Sequence, residues 1–260
     1  MALINNIQAH IDSTKQAVDS IQRLRDDSLI WDAFYKGFTY RFCWSSNSLE
    51  GNTLSLDETI AVVDFDEVSA GHTFSEYQDA KNLYRAIRES LSAEYAEITE
   101  EWIQRANGIV CSRGGGGYRD VDVFVGHGVE AVYYPPSYPE VPKLMREFAG
   151  RASQCRIGDF CFAVNCIAEQ HILFERIHPF TDGNGRTGRL ILNQMLLNNG
   201  LLPVTIKDAS KYRQAFRAYD RNRDMSMLVY LVCGALEESA QSLMDCDKKR
   251  ELDRSRFNPA

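Results

Sequence analysis

Two apolar helical runs meet at a short polar break, and that junction limits the fold more than any other stretch. Residues 157–177 carry Ile157, Phe160, Phe162, Val164 and Ile167 on nearly every side of the first predicted turns. A helix that is apolar all round is enclosed by others, which predicts a helical fold with this segment at its centre. The run stops at His178-Pro179, because the residue before a proline is pushed out of helical conformation. A second run through Leu190, Ile191, Met195, Leu196 and Leu197 ends at Asn199-Gly200, with Pro203 beyond, the usual way to terminate a helix.

The flanking sequence is also mostly helical. Ile4, Ile7, Ile11, Val18 and Ile21 form one stripe on a first helix. The stripe would pack on the body of the protein or, as the sharper alternative, form a homodimer seam. Trp31, Phe34, Tyr35 and Phe38 predict a second helix running toward Leu49. Ser55-Leu56-Asp57-Glu58 and Thr73-Phe74-Ser75-Glu76 read as capping boxes, and Thr99 as an N-cap. Tyr212, Phe216 and Tyr219 open another helix, and 228–232 a buried one. The tail from Asp245 to Arg256 reads as a solvated helix or as disordered chain.

The texture changes in the middle. Gly114-Gly115-Gly116-Gly117 lacks the Gly-Lys-Ser/Thr ending of a phosphate-binding P-loop and reads as a flexible linker. Beyond it, 121–125 and 129–134 are β-rich runs flanking Gly126-His127-Gly128, which predicts a hairpin over about 121–134. Its edges could accept a strand from another chain.

Net charge is −7, which argues against a general nucleic-acid or anionic-membrane surface. No apolar run reaches the length of a membrane span and no signal peptide is visible, so the expected location is cytoplasmic. The seven cysteines include no CxxC pair and mostly have apolar neighbours, which predicts buried free thiols rather than a disulfide or zinc framework.

The chemistry concentrates in His178-Pro179-Phe180-Thr181-Asp182-Gly183-Asn184-Gly185-Arg186-Thr187-Gly188-Arg189. A central helix delivers His178, a proton-transfer side chain at neutral pH, to a loop. Gly183-Asn184-Gly185 can turn several amides inward as an anion nest, and the following helix adds its positive end. Arg186 and Arg189, three apart, share a helix face and suit phosphate oxygens. Asp182 is a hard oxygen ligand of the kind Mg²⁺ takes beside phosphates. Together these predict phosphoryl or nucleotidyl transfer. His171, on the apolar part of the same helix, reads as a core histidine, and His127 as an exposed turn residue.

The stretch is similar to the Fic (Fic/Doc) motif, His-Pro-Phe-x-Asp/Glu-Gly-Asn-Gly-Arg-x-x-Arg, at every defined position. The resemblance implies an all-α core with a small β-hairpin flap, and transfer of AMP from ATP to a Ser, Thr or Tyr hydroxyl of a target protein docked along that flap. It implies His178 as general base, Asp182 on Mg²⁺, and the amides of Gly183, Asn184 and Gly185 with Arg186 and Arg189 on the phosphates. Phe180 would anchor the loop, and Tyr212 would lie near the adenosine. An Asn that some relatives carry later in that helix would correspond to Asp220 or Asn222. Upstream, Ser46-Asn47-Ser48-Leu49-Glu50-Gly51-Asn52 resembles the family's inhibitory motif. Ser46 and Glu50 would share a helix face ended by Gly51, and Glu50 would pair with Arg189 where the γ-phosphate belongs.

These readings divide the chain into N-terminal helices with the inhibitory motif (1–54), a catalytic core (55–235) and a tail (236–260). Two alternatives to autoinhibited AMP transfer stand: removal of AMP from a modified target through the same site, and a nucleotide-binding regulatory module with little turnover. Self-modification is a further outcome of the transferase reading.

Overall fold

The computed structural model describes residues 6–112, 114–127, 130–156 and 159–257, with the side chains of 127, 130, 131 and 254–257 excepted. Local signals start most helices. Asp27 caps α3 (Ser28–Ser48) through the amides of Leu29 and Ile30. Full capping boxes open α4 (Leu56–Phe65) at Ser55 and α5 (Phe74–Ser90) at Thr73. Thr99 caps α6 (Glu100–Cys111), Asp159 caps α8 (Phe160–Ile177) and Asp208 caps α10 (Ala209–Asn222). Each cap satisfies an amide that has no partner inside its own helix. The remaining helices are α1 (Ile7–Ser20), the single turn α2 (Gln22–Arg25), α7 (Val141–Gln154), α9 (Asn184–Asn198) and α11 (Ser226–Phe257). The tail is therefore helical as far as Phe257. Among the described residues no helix is long and apolar enough to cross a membrane.

The all-α architecture with one hairpin is as expected, but its centre is displaced. All but two of the 15 residues of α9 are buried, and α9 packs against α8, α6, α3 and α5. Phe162 on α8 is 47% exposed, so the first turns of α8 are not enclosed. Phe34, Phe38 and Phe42 carry one face of α3 into the core. The α1 stripe of Ile11 and Val18 is buried against α11 within the chain.

Three sequence expectations change. The hairpin pairs only β1 (Val125–His127) with antiparallel β2 (Glu130–Tyr133), with an irregularity between Val125 and Gly126. Residues 121–124 are not strand, because they have no partner across the ladder. Gly126 and His127 belong to β1 rather than to the turn, while the side chain of His127 and residues 128 and 129 lie outside the described residues. The glycine run is packed rather than a free linker. The Gly116 amide donates to Asn107 Oδ1, and a Cβ on Gly115 would stand 2.8 Å from the Asn107 carbonyl. Finally, Cys155 and Cys166 form a disulfide across α7 and α8, with Cα atoms 5.5 Å apart. The packing of α7 on α8 brings together two thiols that sequence spacing leaves unrelated. Cys43 and Cys233 are free and buried.

Candidate active site

α8 ends in a left-handed residue, His178 (φ 50°). Non-glycine residues seldom adopt this conformation, and it turns the chain sharply into the loop. The loop is held from both sides. Phe180 is buried against Phe174 and Tyr118. The Asn184 side chain clasps Phe180, accepting from its amide at 2.9 Å and donating to its carbonyl at 2.8 Å. Gly183 (φ 75°) then caps α9.

The first turn of α9 leaves amides without helical partners. The Gly183 amide is already engaged, donating to Asp182 Oδ1 at 2.6 Å. Arg189, 2% exposed, donates from Nε to Ser46 Oγ and from Nη2 to the Ser46 carbonyl, each at 2.8 Å. Nη2 also donates to Glu50 Oε1 at 2.6 Å. Burial alone would depress the guanidinium, but the acidic groups around it, Glu50 foremost with Tyr212 and Glu175, together make the net shift upward. α3 ends at Ser48, and Glu50 sits in the turn beyond it, before Gly51 at φ 96°. A Cβ on Gly185 would collide with Glu50 Oε1. The carboxylate thus rests on the N-terminal turn of α9, where helix geometry favours an anion.

A cavity of about 230 Å³ opens here. Glu50, His178, Gly185, Arg189 and Tyr212 line it together, with Tyr133 from the hairpin closing one side. Burial pushes the His178 imidazole down to about 4, and the Arg119 and Arg176 charges add to this. His178 is therefore neutral at pH 7, with its Nδ1 buried and unpartnered. Tyr212 is buried, with its hydroxyl 2.6 Å from His171 Nε2. His171 is the expected core histidine, completely buried, with Nδ1 3.1 Å from the Gly188 carbonyl. Asp220 is paired with Arg176 through two bonds of 2.7 Å, and Asn222 Oδ1 accepts from the Asp224 amide.

Arg186 and Asp182 do not join this cavity. Arg186 turns away from Arg189 and donates to Asp79 at 2.5 Å and to Asp182 at 3.3 Å. Asp182 has a 75% exposed side chain and lines a neighbouring cleft with Asn107 and Cys111. No group of three or more metal-ligating side chains occurs among the described residues.

Three neighbours of the site were not singled out in the sequence. Asp79 comes from α5 and holds Arg186. Glu175 lies in the last turn of α8, three residues before His178, a spacing that would have marked it. Its Oε1 is buried without a partner, and burial raises the carboxyl to about 7. Arg119, just ahead of the hairpin, donates from Nε to the His178 carbonyl at 2.9 Å.

Residues 97–196 match the Fic/DOC family. The chain carries a Fic/DOC domain. The protein adenylyltransferase Fic of Nematostella vectensis is 28% identical over 207 residues, covering 77% of this chain and 47% of that protein. The chain spans about half the length, or less, of the curated relatives it matches. The Fic fold is shared with a Fic-domain signalling protein from Bacteroides thetaiotaomicron, with TM-score 0.77, 23% identity, and coverage of 92% of this chain and 97% of that one. A more distant neighbour, with TM-score 0.55 and 15% identity, is IbpAFic2 in complex with adenylylated Cdc42, covering 89% of this chain and 69% of that one.

Proposed function

We propose that this chain is a protein adenylyltransferase that moves AMP from ATP to a Ser, Thr or Tyr hydroxyl of a target protein, and that Glu50 holds it inhibited. One observation carries the reading. A neutral, half-buried histidine and a buried arginine face one cavity, and the arginine is occupied by a carboxylate from outside the Fic-matched segment. Curated relatives named as adenylyltransferases and a Fic structure with an adenylylated protein support the class of reaction.

In the reaction, His178 takes the proton of the target hydroxyl, whose oxygen attacks the α-phosphorus. The new bond is O–Pα, the bond between Pα and its bridging oxygen to Pβ breaks, and pyrophosphate leaves. A base held neutral by burial is ready at pH 7 without first losing a proton. The free amides of the α9 N-terminus and Arg189 would carry phosphate charge. Asp182, with one exposed oxygen pair beside the loop, fits Mg²⁺ only together with nucleotide phosphates, as that ion is commonly bound. The ion would neutralise developing charge on those phosphates. Tyr212 would face the nucleoside, and the target segment would add along the hairpin edge.

With Glu50 on Gly185 and Arg189, the γ-phosphate position is taken by a negative group. Glu50→Gly removes that group. Incubation with α-labelled ATP should show label incorporation rising in E50G and vanishing in E50G/His178→Ala. An E50G protein no more active than wild type overturns the inhibition, and label persisting without His178 overturns the base assignment. The placement of Glu50 in the same cavity as His178 supports a second reading, in which Glu50 orients a water that removes AMP. Glu50-dependent loss of label from a modified target would select it.

A further inference from the structure

Arg119 makes a set of contacts that the transfer chemistry above does not use. Its side chain is fully buried, and its guanidinium is spent on main-chain carbonyls of three separate segments. Nε donates to His178 O at 2.9 Å, Nη1 to Val121 O at 3.0 Å, and Nη2 to Pro136 O. The Arg119 amide adds a bond to Pro179 O at 2.9 Å. Val121 and Pro136 are the two ends of the segment that carries the hairpin, while His178 and Pro179 begin the catalytic loop. Asp122 stands 3.7 Å from Nη1.

This arrangement differs from a generic buried ion pair. Charge-assisted bonds to carbonyls are directional, and the rigid planar fork of a guanidinium presents donors from three separate nitrogens to three acceptors. The His178 carbonyl belongs to a left-handed residue, a conformation that persists when the surroundings over-determine it. A second tie lies at the far strand, where Tyr133 OH donates to Arg176 O at 3.0 Å and Arg176 is forked onto Asp220. The hairpin is otherwise a two-stranded sheet, a unit with little stability of its own.

We propose that Arg119 is a positioning residue that couples the hairpin to His178, so that seating a target strand on the hairpin and aiming the imidazole are one mechanical event. The proposal rests on the AMP-transfer reading for its consequence, but its physical content is independent of that reading. Arg119 touches neither the proposed phosphate amides nor Arg189, so nucleotide affinity should not depend on it.

Two variants in the E50G background separate geometry from charge. Arg119→Met removes both the fork and the charge, and Arg119→Lys keeps only the charge. Three readouts are hydrogen exchange of amides in 121–127 and 130–134, the NMR titration of the His178 imidazole, and binding of ATP with transfer of its α-label. The His178 titration is set first by burial, and then by the main chain of Glu175 and the charges of Arg119, Glu50 and Arg176 around it. In E50G, Glu50 is absent from every protein compared.

With Arg119→Met, hairpin exchange should accelerate and the His178 titration should move upward, because one repelling charge is gone. Label transfer at saturating ATP should fall on the order of ten- to a hundredfold, the scale of a misplaced reacting group. ATP affinity should stay within about threefold, well under 1.4 kcal/mol. With Arg119→Lys, exchange should rise as in the methionine variant while the titration stays low. Unchanged hairpin exchange in Arg119→Lys overturns the proposal, and so does a loss of transfer fully accounted for by weaker ATP binding. If E50G itself transfers no label, the transferase reading fails, and exchange and titration still decide the role of Arg119.

Discussion

The two arginines of the α9 N-terminus stand three residues apart, and both are neutralised, yet by different kinds of partner. Arg186 is held by Asp79 of α5 and by Asp182, its own neighbour one turn back. Arg189 is held by Ser46 and Glu50, which lie at and just beyond the end of α3. Asp79 sits within a capped 17-residue helix packed on α3, α4 and α6. Glu50 sits in a turn and is 41% exposed. The first pair is scaffold, since it ties two packed helices, α5 and α9, together. The second can part by a local change in a turn, which makes it the element able to switch.

The sharpest test of this contrast is thermal unfolding with and without ATP. Glu50→Gly leaves Arg189 buried without the carboxylate it is bonded to, a loss that a triphosphate can restore. Ligand present at 100 times its dissociation constant stabilises by about 2.7 kcal/mol, which for a chain of this size is a rise in midpoint of roughly 5–10 °C. Wild type, with the anion position filled, should shift by much less. Equal shifts in the two proteins would break the comparison. The converse substitution, Asp79→Asn, should lower stability by about 1–2 kcal/mol through the weakened hold on a buried guanidinium. It should leave the ATP response of wild type small. A large gain of ATP response in D79N would show that the scaffold pair, too, acts as a gate.

What the sequence revealed of this site follows from the range of each interaction. The capping boxes at Ser55 and Thr73 are closed within four residues and were fully legible. The stop at His178-Pro179 was legible for the same reason. The Glu50–Arg189 contact spans 139 positions, and only the resemblance to a known motif pointed to it. Asp79 carried no such mark, because which face of α5 meets α9 is settled by packing. The divergence of Arg186 from Arg189 was hidden too. Spacing of three places two stems on one face, but each guanidinium follows its own carboxylate. The hairpin was overextended because alternation of residue types cannot say where a partner strand ends. The Cys155–Cys166 pair needed α7 packed on α8.

Glu175 gives the smallest effect and the finest test of how charge is distributed around Arg189. Its carboxyl is raised to about 7 from an ordinary value of 4.5, first by burial and then by Glu50, against the pull of Arg189. A carboxyl with a raised folded value binds a proton in the native state that the unfolded chain has released. Between pH 4.5 and 7 it therefore makes stability fall as pH rises. His178 and His171 work oppositely: both are lowered by burial, to about 4 and about 3 from 6.5. They cost stability as pH falls below 6.5. The histidine contributions cancel when wild type is compared with Glu175→Gln at each pH. The difference should grow in favour of the glutamine protein by on the order of 1 kcal/mol from pH 5 to pH 8. It should shrink in the Glu50→Gly background, because the second carboxylate that raises Glu175 is gone. A difference that is flat with pH would mean that Glu175 stays ionised throughout. Arg189 would then sit between two full negative charges, and Glu50 would be easier to displace from it than the present contacts imply.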